Sequence, residues 1–519
     1  MRCSALLLLL SLAGCSRQQD AGALRRVAIL PFENLSPDLA GGVDAGAVRL
    51  ALWESLQAQP AIYAALTNHR RDLPELHAAY VVDGYVTPGV FHLRLNDQQL
   101  NCAGTLETCA PRLVSDLAGR IGVTARPVPN VETLRTLSGA RTPAEVESAL
   151  VTATKTDATF AAVWLARAAE ASTRGGVPAA LEILRLAPLG QMTPYDAAML
   201  TLRMAELQQD RPGHRTAIIA LARLAPADVD LQLRAAREAA LGRDFATAAE
   251  IYDRLLLVAK QPAVLNQAAY VAALMGDRQK AEQMATAAEA GAPNEPQFAD
   301  THGDIAYFFG DYAAAARLFE KAAGMNPSFL NGLPIWKAAM ASQLAGETSR
   351  AEGSFRQFAD LRTKAGAPNT LLLEAVWDWQ GGRKEAAYEK LQRAISSSER
   401  GKALFLYSLM ALNQRDFGTA EKTRRDIDPN AIESVFLRCL MDGVAPPANL
   451  PVPPEGIQAL HQFLRGDAKG ATASLRAAQL KMDPFTEGQW RKLDLLLAGK
   501  KEPGVFPPSP DDWLAVLLR

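Results

Sequence analysis

The sequence predicts a mainly α protein, a long α-solenoid of repeated helical hairpins preceded by a small α/β domain. Three observations carry that expectation. Glycine turns followed five residues later by alanine recur at Gly175/Ala180, Gly276/Ala281, Gly310/Ala315, Gly346/Ala351, Gly382/Ala387 and Gly466/Ala471. The steps from Gly276 to Gly310, Gly346 and Gly382 are 34, 36 and 36 residues, a period that belongs to stacked helix-turn-helix units. Runs rich in β-branched and aromatic residues are confined to the chain before residue 127.

The first fifteen residues, MRCSALLLLLSLAGC, read as an address. Arg2 supplies a positive start, and the apolar run from Ala5 to Leu12 is far shorter than the ~20 residues a spanning helix needs. An ordinary cleaved signal with a cysteine at its end is one reading. Leu12-Ala13-Gly14-Cys15 also resembles a bacterial lipobox. That resemblance implies a signal peptide over 1–14, acylation (palmitate among the chains) of Cys15, and a polar tether over 15–26. Two or more acyl chains anchor stably where one does not. With Ser16 after the cysteine, the family's sorting rule points to the outer membrane, facing the periplasm.

Composition narrows the function classes. The 519 residues carry 56 acidic and 55 basic side chains, so no basic field for nucleic acid is expected. Beyond Cys3 and Cys15, the cysteines are Cys102, Cys109 and Cys439. Cys102 and Cys109, in NCAGTLETC, sit close enough in sequence for a disulfide; two free thiols or a metal pair are the alternatives. A metal site lacks further Cys or His at ligand spacing nearby. Cys439, in FLRCLM, reads as a helical core residue.

The α/β domain is placed at 27–127. A strand is expected from Val27 to Pro31, and an amphipathic helix from Asp44 to Gln57 with Val48, Leu50, Leu52, Trp53 and Leu56 on its apolar side. Leu73–Ala79 reads as a short helix. Tyr80–Val86 and Val90–Leu95 form a hairpin around Thr87-Pro88-Gly89, and Ala110–Ile121 returns to helical periodicity. LPFENLSPD, the following helix and YVVDGYV together resemble the TolB amino-terminal-like (FlgO-like) domain. The resemblance covers about 26 to 125 and implies an envelope-associated, protein-contacting, non-enzymatic module with no catalytic residue to carry over.

From 140 to 442 the chain resembles tetratricopeptide repeats, with units near 161–194, 195–228, 229–261, 262–295, 296–331, 332–367, 368–400 and 401–434. In HGDIAYFFGDYAAAARLFEKAAGMNP the small residues Gly303, Ala315 and Ala322 let helices cross closely, while Phe319 fills the space beside them. GRDFATA and QRDFGTA are related turns, and Asp210-Arg211-Pro212-Gly213 makes the 195–228 turn irregular. A Pro-rich connector is expected over 443–456, then a partial repeat and C-terminal cap over 457–519, with WLAVLLR against the array's end.

No phosphate-binding loop, HExxH, GxSxG or Ca²⁺ ladder is present, and the six histidines are scattered, so neither enzyme activity nor a cofactor is expected. In a stacked array the first helices line a groove. The groove positions in this register are Tyr270, Asp300, Asp304, Tyr307, Trp336, Met340 and Trp379, a set suited to an extended peptide or a helix with a basic residue. For Trp336 and Trp379 a one-residue slip in register turns groove into inter-repeat packing. The expected function is a membrane-tethered periplasmic scaffold for another envelope protein. A small-ligand sensor acting through the α/β domain is the alternative.

Overall fold

The computed structural model describes residues 25–36, 39–57, 62–73, 78–138, 143–257, 260–366, 370–447, 452–479, 484–500 and 504–519. Cys15, the leader expected over 1–14 and most of the 15–26 tether lie outside them. The chain is mainly helical with one small sheet, a tetratricopeptide-type solenoid preceded by an α/β region. It divides into two compact units, Met1–Ala239 with Glu250–Ala259, and Ala240–Ala249 with Lys260–Arg519.

In the first unit, β1 (Arg25–Asn34), β2 (Ile62–Leu66), β3 (Tyr80–Thr87), β4 (Val90–Leu95) and β5 (Gln98–Ala103) form a sheet in the order β2-β1-β3-β4-β5. The β1 strand runs parallel to β2 and β3, while β3, β4 and β5 are antiparallel. Two helices, α1 (Leu39–Leu56) and α2 (Leu106–Ile121), bury Val48, Leu52, Leu113 and Leu117 with Val27, Ile29, Val82 and Leu93 of the sheet. The hairpin stands as expected, but β1 continues through Pro31. The register shifts between Ile29 and Phe32, so the proline falls where no ladder hydrogen bond is needed. A short 3₁₀ turn at Arg70–Asp72 leads into Leu73, which is helical, and residues 74–77 of the helix expected at Leu73–Ala79 lie outside the described set. A disulfide joins Cys102 of β5 to Cys109 of α2, with Cα atoms 5.6 Å apart, fixing the helix to the sheet edge.

The unit does not end at the sheet. Five further helices belong to it: α3 (Val131–Ser138), α4 (Pro143–Thr156), α5 (Ala161–Arg185), α6 (Pro194–Gln208) and α7 (Arg211–Leu224). The helix α5 is broken at Gly176, where φ is 66°, one residue past the predicted turn glycine. Arg126 welds sheet to helices. Its guanidinium pairs with Asp196 at the start of α6, its ring neighbours are Phe160 and Tyr195, and its backbone N–H donates to Ser55 O at 2.9 Å. Asp196 also accepts from Ala161 N at 3.2 Å. Glu54 is buried beside them; burial pushes its carboxyl up to about 7, with Asp196 adding to the rise and Arg126 opposing it. The hairpin α8 (Val229–Leu241) and α9 (Phe245–Leu256) has residues on both sides of the division.

The second unit contains the regular hairpins: α10 (Pro262–Leu274) with α11 (Arg278–Gly291), α12 (Pro296–Phe308) with α13 (Tyr312–Met325), and α14 (Leu333–Leu344) with α15 (Thr348–Lys364). Then come α16 (Thr370–Gln380) with α17 (Lys384–Ile395), and α18 (Arg400–Asn413) with α19 (Phe417–Arg425). Beyond them lie α20 (Ile432–Asp442), α21 (Pro454–Leu464) with α22 (Ala468–Gln479), α23 (Pro484–Leu497) and α24 (Trp513–Leu517). Free Cys439 is buried in α20. One turn is used throughout. Gly276, Gly310, Gly346, Gly382 and Gly466 take φ between 78° and 84°, and Arg415 takes the same region at 59°. The next N–H closes back on the helix it follows, as from Asp311 N to Ala306 O at 2.9 Å. Where the next residue is aspartate it also caps the second helix: Asp277 accepts from Lys280 N, Asp311 from Ala314 N, Asp416 from Thr419 N and Asp467 from Gly470 N, whereas Glu347 and Arg383 make no side-chain cap. The Gly-Asp dipeptide thus ends one helix and starts the next.

Two outcomes are expected. Replacing Cys102 and Cys109 together by alanine lowers stability by roughly 2 kcal/mol, the chain-entropy value for so short a loop; urea unfolding with and without reductant shows it, and reductant then has no effect on the variant. At Gly303 an added Cβ would lie 2.6 Å from the Phe319 ring. Gly303→Ala therefore costs about 1–3 kcal/mol in denaturant melts, as overpacking does, and Gly324→Ala, which meets nothing, costs little.

Candidate functional site

The inner side of the first helices in the second unit is filled by the chain's own carboxy-terminal segment. Residues 505–509 have no helix or strand and pass over α10, α12 and α14. The Phe506 ring packs edge-on to Tyr270 at 5.7 Å and tilted against Phe308 at 4.7 Å. The Trp336 indole N–H donates to Pro508 O at 2.8 Å. Asp512 then caps α24, accepting from Leu514 N at 3.0 Å and Ala515 N at 3.3 Å.

This last helix is seated more deeply. Trp513 packs on Phe436 of α20 and Trp490 of α23. Trp379 Nε1 donates to Val516 O at 2.9 Å, Gln380 Nε2 to Ala515 O at 3.0 Å and Asn413 Nδ2 to Leu517 O at 2.9 Å. The Arg519 guanidinium lies over the Trp379 ring at 5.6 Å. WLAVLLR therefore does not simply cap the end, as predicted; it turns back onto α16 and α18. Leu514, Val516, Leu517 and Leu518 are buried because they complete the core of those helices.

Under the segment is a buried ionic cluster. Lys337 Nζ donates to Asp300 Oδ2 at 2.8 Å and to Asp304 Oδ1 at 2.8 Å, and Tyr270 Oη donates to Asp304 Oδ2 at 2.7 Å. Burial pushes the Asp300 carboxyl up to about 6; Lys337 opposes the rise and Asp304 adds to it. Burial lowers the Lys337 value, but the two carboxylates outweigh it and hold the ammonium above its usual range. Burial, followed by the charge of Asp304, raises Tyr270 well above the ordinary phenol.

The predicted groove residues therefore divide. Tyr270, Asp300 and Asp304 come together, but the carboxylates are only 5% and 7% exposed and are not an open charged surface. Tyr307 packs on Tyr312 at 5.1 Å and is buried with residues of α12, α13 and α14. Met340, Trp336 and Trp379 are buried between repeats, with Trp336 against Phe358 and Trp377. Both indoles use their N–H on the terminal segment, so they serve core and groove at once. The sequence reading missed Lys337, which sits on an apolar helix. A signal existed: Tyr270 to Asp304 is 34 residues and Asp304 to Lys337 is 33, so the three occupy nearly equivalent places in successive repeats. Among the described residues, no group of three or more His, Cys, Asp or Glu is placed to hold a metal ion.

Removing Lys337 leaves two buried carboxylates without a counter-charge. Lys337→Met is expected to cost about 3–5 kcal/mol in urea unfolding at pH 7.5, and Asp300→Asn with Asp304→Asn in the same chain to restore most of it. The folded Asp300 value, about 6, lies above its ordinary value of 3.8, so the folded state holds the proton more tightly. Stability from this group falls as pH rises from 3.8 to about 6 and is flat above. Asp300→Asn flattens that part of the stability–pH curve.

No family model matches the chain, and no curated protein sequence matches it. Solved structures similar to it in part include that of the MamA protein, at 14% identity and a TM-score of 0.30, covering 34% of this chain and 96% of that one. A tetratricopeptide repeat protein from Parabacteroides merdae ATCC 43184 is 14% identical, with a TM-score of 0.31, covering 55% and 92%. Human IFIT1, solved as a dimer with PPP-AAAA, is 15% identical, with a TM-score of 0.29, covering 72% and 77%.

Proposed function

We propose that this chain is a non-enzymatic scaffold of the bacterial envelope. It is held to the outer membrane by lipid on Cys15 and faces the periplasm, where its repeat groove binds an extended segment of another envelope protein. The observation that carries the binding half is the terminal segment itself. The first helices of the second unit hold a peptide by aromatic packing and by side-chain hydrogen bonds to its main-chain carbonyls at Pro508, Ala515, Val516 and Leu517. Such contacts recognise a backbone path more than one side-chain set; Ala515, Val516 and Leu517 belong to α24, while the Trp336 bond to Pro508, in the stretch without helix or strand, suits a partner supplied in extended form. The leader and Cys15 support the tethering half.

Two measurements test this reading. Cys15→Ser is expected to abolish palmitate labelling and move the chain from the membrane to the soluble fraction; continued membrane association would overturn the tether. A photoreactive residue at Ser509 is expected to crosslink one envelope protein in intact cells. The purified pair should then bind with an affinity that falls at least tenfold, about 1.4 kcal/mol, on Phe308→Ala and is unaltered by Arg356→Ala on the exposed side of α15. Equal responses to the two substitutions would remove the groove from the account.

A further inference from the structure

We propose that residues 504–510, GVFPPSP, are a replaceable built-in ligand, and that the partner they exclude is a proline-rich extended segment with an aromatic residue just before its prolines. This rests on the groove being the partner site and adds what the partner must look like.

The terminal segment has two parts with different burial. Leu514, Val516, Leu517 and Leu518 are 1–2% exposed and belong to the main core of the unit. In the strap Val505 is 9% exposed, while Phe506, Pro507, Pro508, Ser509 and Pro510 are only half-buried. The strap is bounded by Gly504, at φ 121°, and by Asp512, which fixes the start of α24. The strap can therefore leave while α24 stays, because among the described residues the side chains that bond or stack on α24 (Trp379, Gln380, Asn413, Phe436 and Trp490) differ from those that hold the strap (Tyr270, Phe308 and Trp336).

The groove under the strap has the chemistry a proline-rich chain requires. Prolines lack N–H groups and their carbonyls find no partner within the segment, so a receptor must bring donors of its own and flat apolar surfaces for the rings. Trp336 brings the donor, to Pro508 O at 2.8 Å. Tyr270 and Phe308 bring the surface for Phe506, and Arg491 lies over the Phe308 ring at 5.0 Å. The strap carries no charged residue. The floor agrees with that: Asp300 and Asp304 are already paired with Lys337, so they offer little to the basic partner that their sequence positions suggest. A proline-rich ligand also loses little chain entropy on binding, which suits a shallow site.

The test uses the full chain with the strap disarmed by Phe506→Ser, Pro507→Gly and Pro508→Gly, and α24 left intact. Circular dichroism and thermal melting establish that it is folded. The probe is a fluorescein-labelled peptide of residues 503–511, PGVFPPSPD, followed by anisotropy. The disarmed chain is expected to bind it at least tenfold more tightly than the native chain. Adding Trp336→Phe, which keeps a ring and removes the indole donor, weakens binding by about tenfold, the value of one buried hydrogen bond. A peptide with serine in place of the phenylalanine should not bind. Equal binding to native and disarmed chains, or none to a folded disarmed chain, overturns the proposal. So does a concentration-dependent dimer of the native chain that the disarmed chain does not form, since the strap then serves a second copy. If the peptide fails while the crosslinked partner still responds to Phe308→Ala, only the proline-rich inference falls. If the peptide behaves as expected and no envelope protein responds, the scaffold reading falls instead.

Discussion

Everything in the second unit depends on helices approaching with almost nothing between them. Ala281, Ala285 and Ala288 on α11, Ala315, Ala316 and Ala322 on α13, and Ala387 on α17 are all completely buried, because a larger side chain there would push the crossing helix away. Gly303 takes the constraint to its limit, since the Phe319 ring occupies the space its side chain would need. Close crossing in turn fixes the turn chemistry. Antiparallel neighbours need a short connection, and the left-handed glycine with its capping aspartate supplies one.

Such packing leaves little room for polarity, yet each unit buries charge. Tyr270, Asp304 and Lys337 come from three successive first helices and can bond only when those helices are in register. A buried ion cluster adds little net stability, but one misaligned by a single residue would strand its charges. We read the cluster as a register pin. Arg126 with Asp196 has the corresponding role in the first unit, joining the segment that leaves the sheet and α2 to the start of α6. That explains why the compact division does not fall at the end of the sheet, where the change in composition had placed it.

The repeat hairpins were legible because their signals are local: glycine, aspartate and alanine act within one turn of helix. The sheet was half legible. Both strands that went unseen are edges, one alanine-rich (IYAAL) and one polar (QQLNCA), and edge strands need only one apolar face and weak β propensity. Three of the four residues of the ionic cluster were legible, and Lys337 was not, because it stands alone on an apolar helix and its partners lie in the preceding repeats. The occupied groove was not legible. Five helical residues and a proline run have no pattern naming their partners, and the side chains that hydrogen-bond their carbonyls lie more than a hundred residues earlier in the chain. The two tryptophans seemed to demand a choice between packing and binding, but a ring and its N–H point in different directions and can do both.

The terminal segment also alters how the array can come into being. A bare solenoid has only neighbour-to-neighbour contacts, so each hairpin can settle as soon as its own two helices and their neighbours are present. Here Trp336 waits for a carbonyl 172 residues downstream, and Trp379 for one 137 residues downstream. The middle hairpins therefore remain open on their inner side until residues 504–518 have arrived. Through that interval their aromatic floor is uncovered, and a chaperone bound there would guard the surface the finished protein closes for itself.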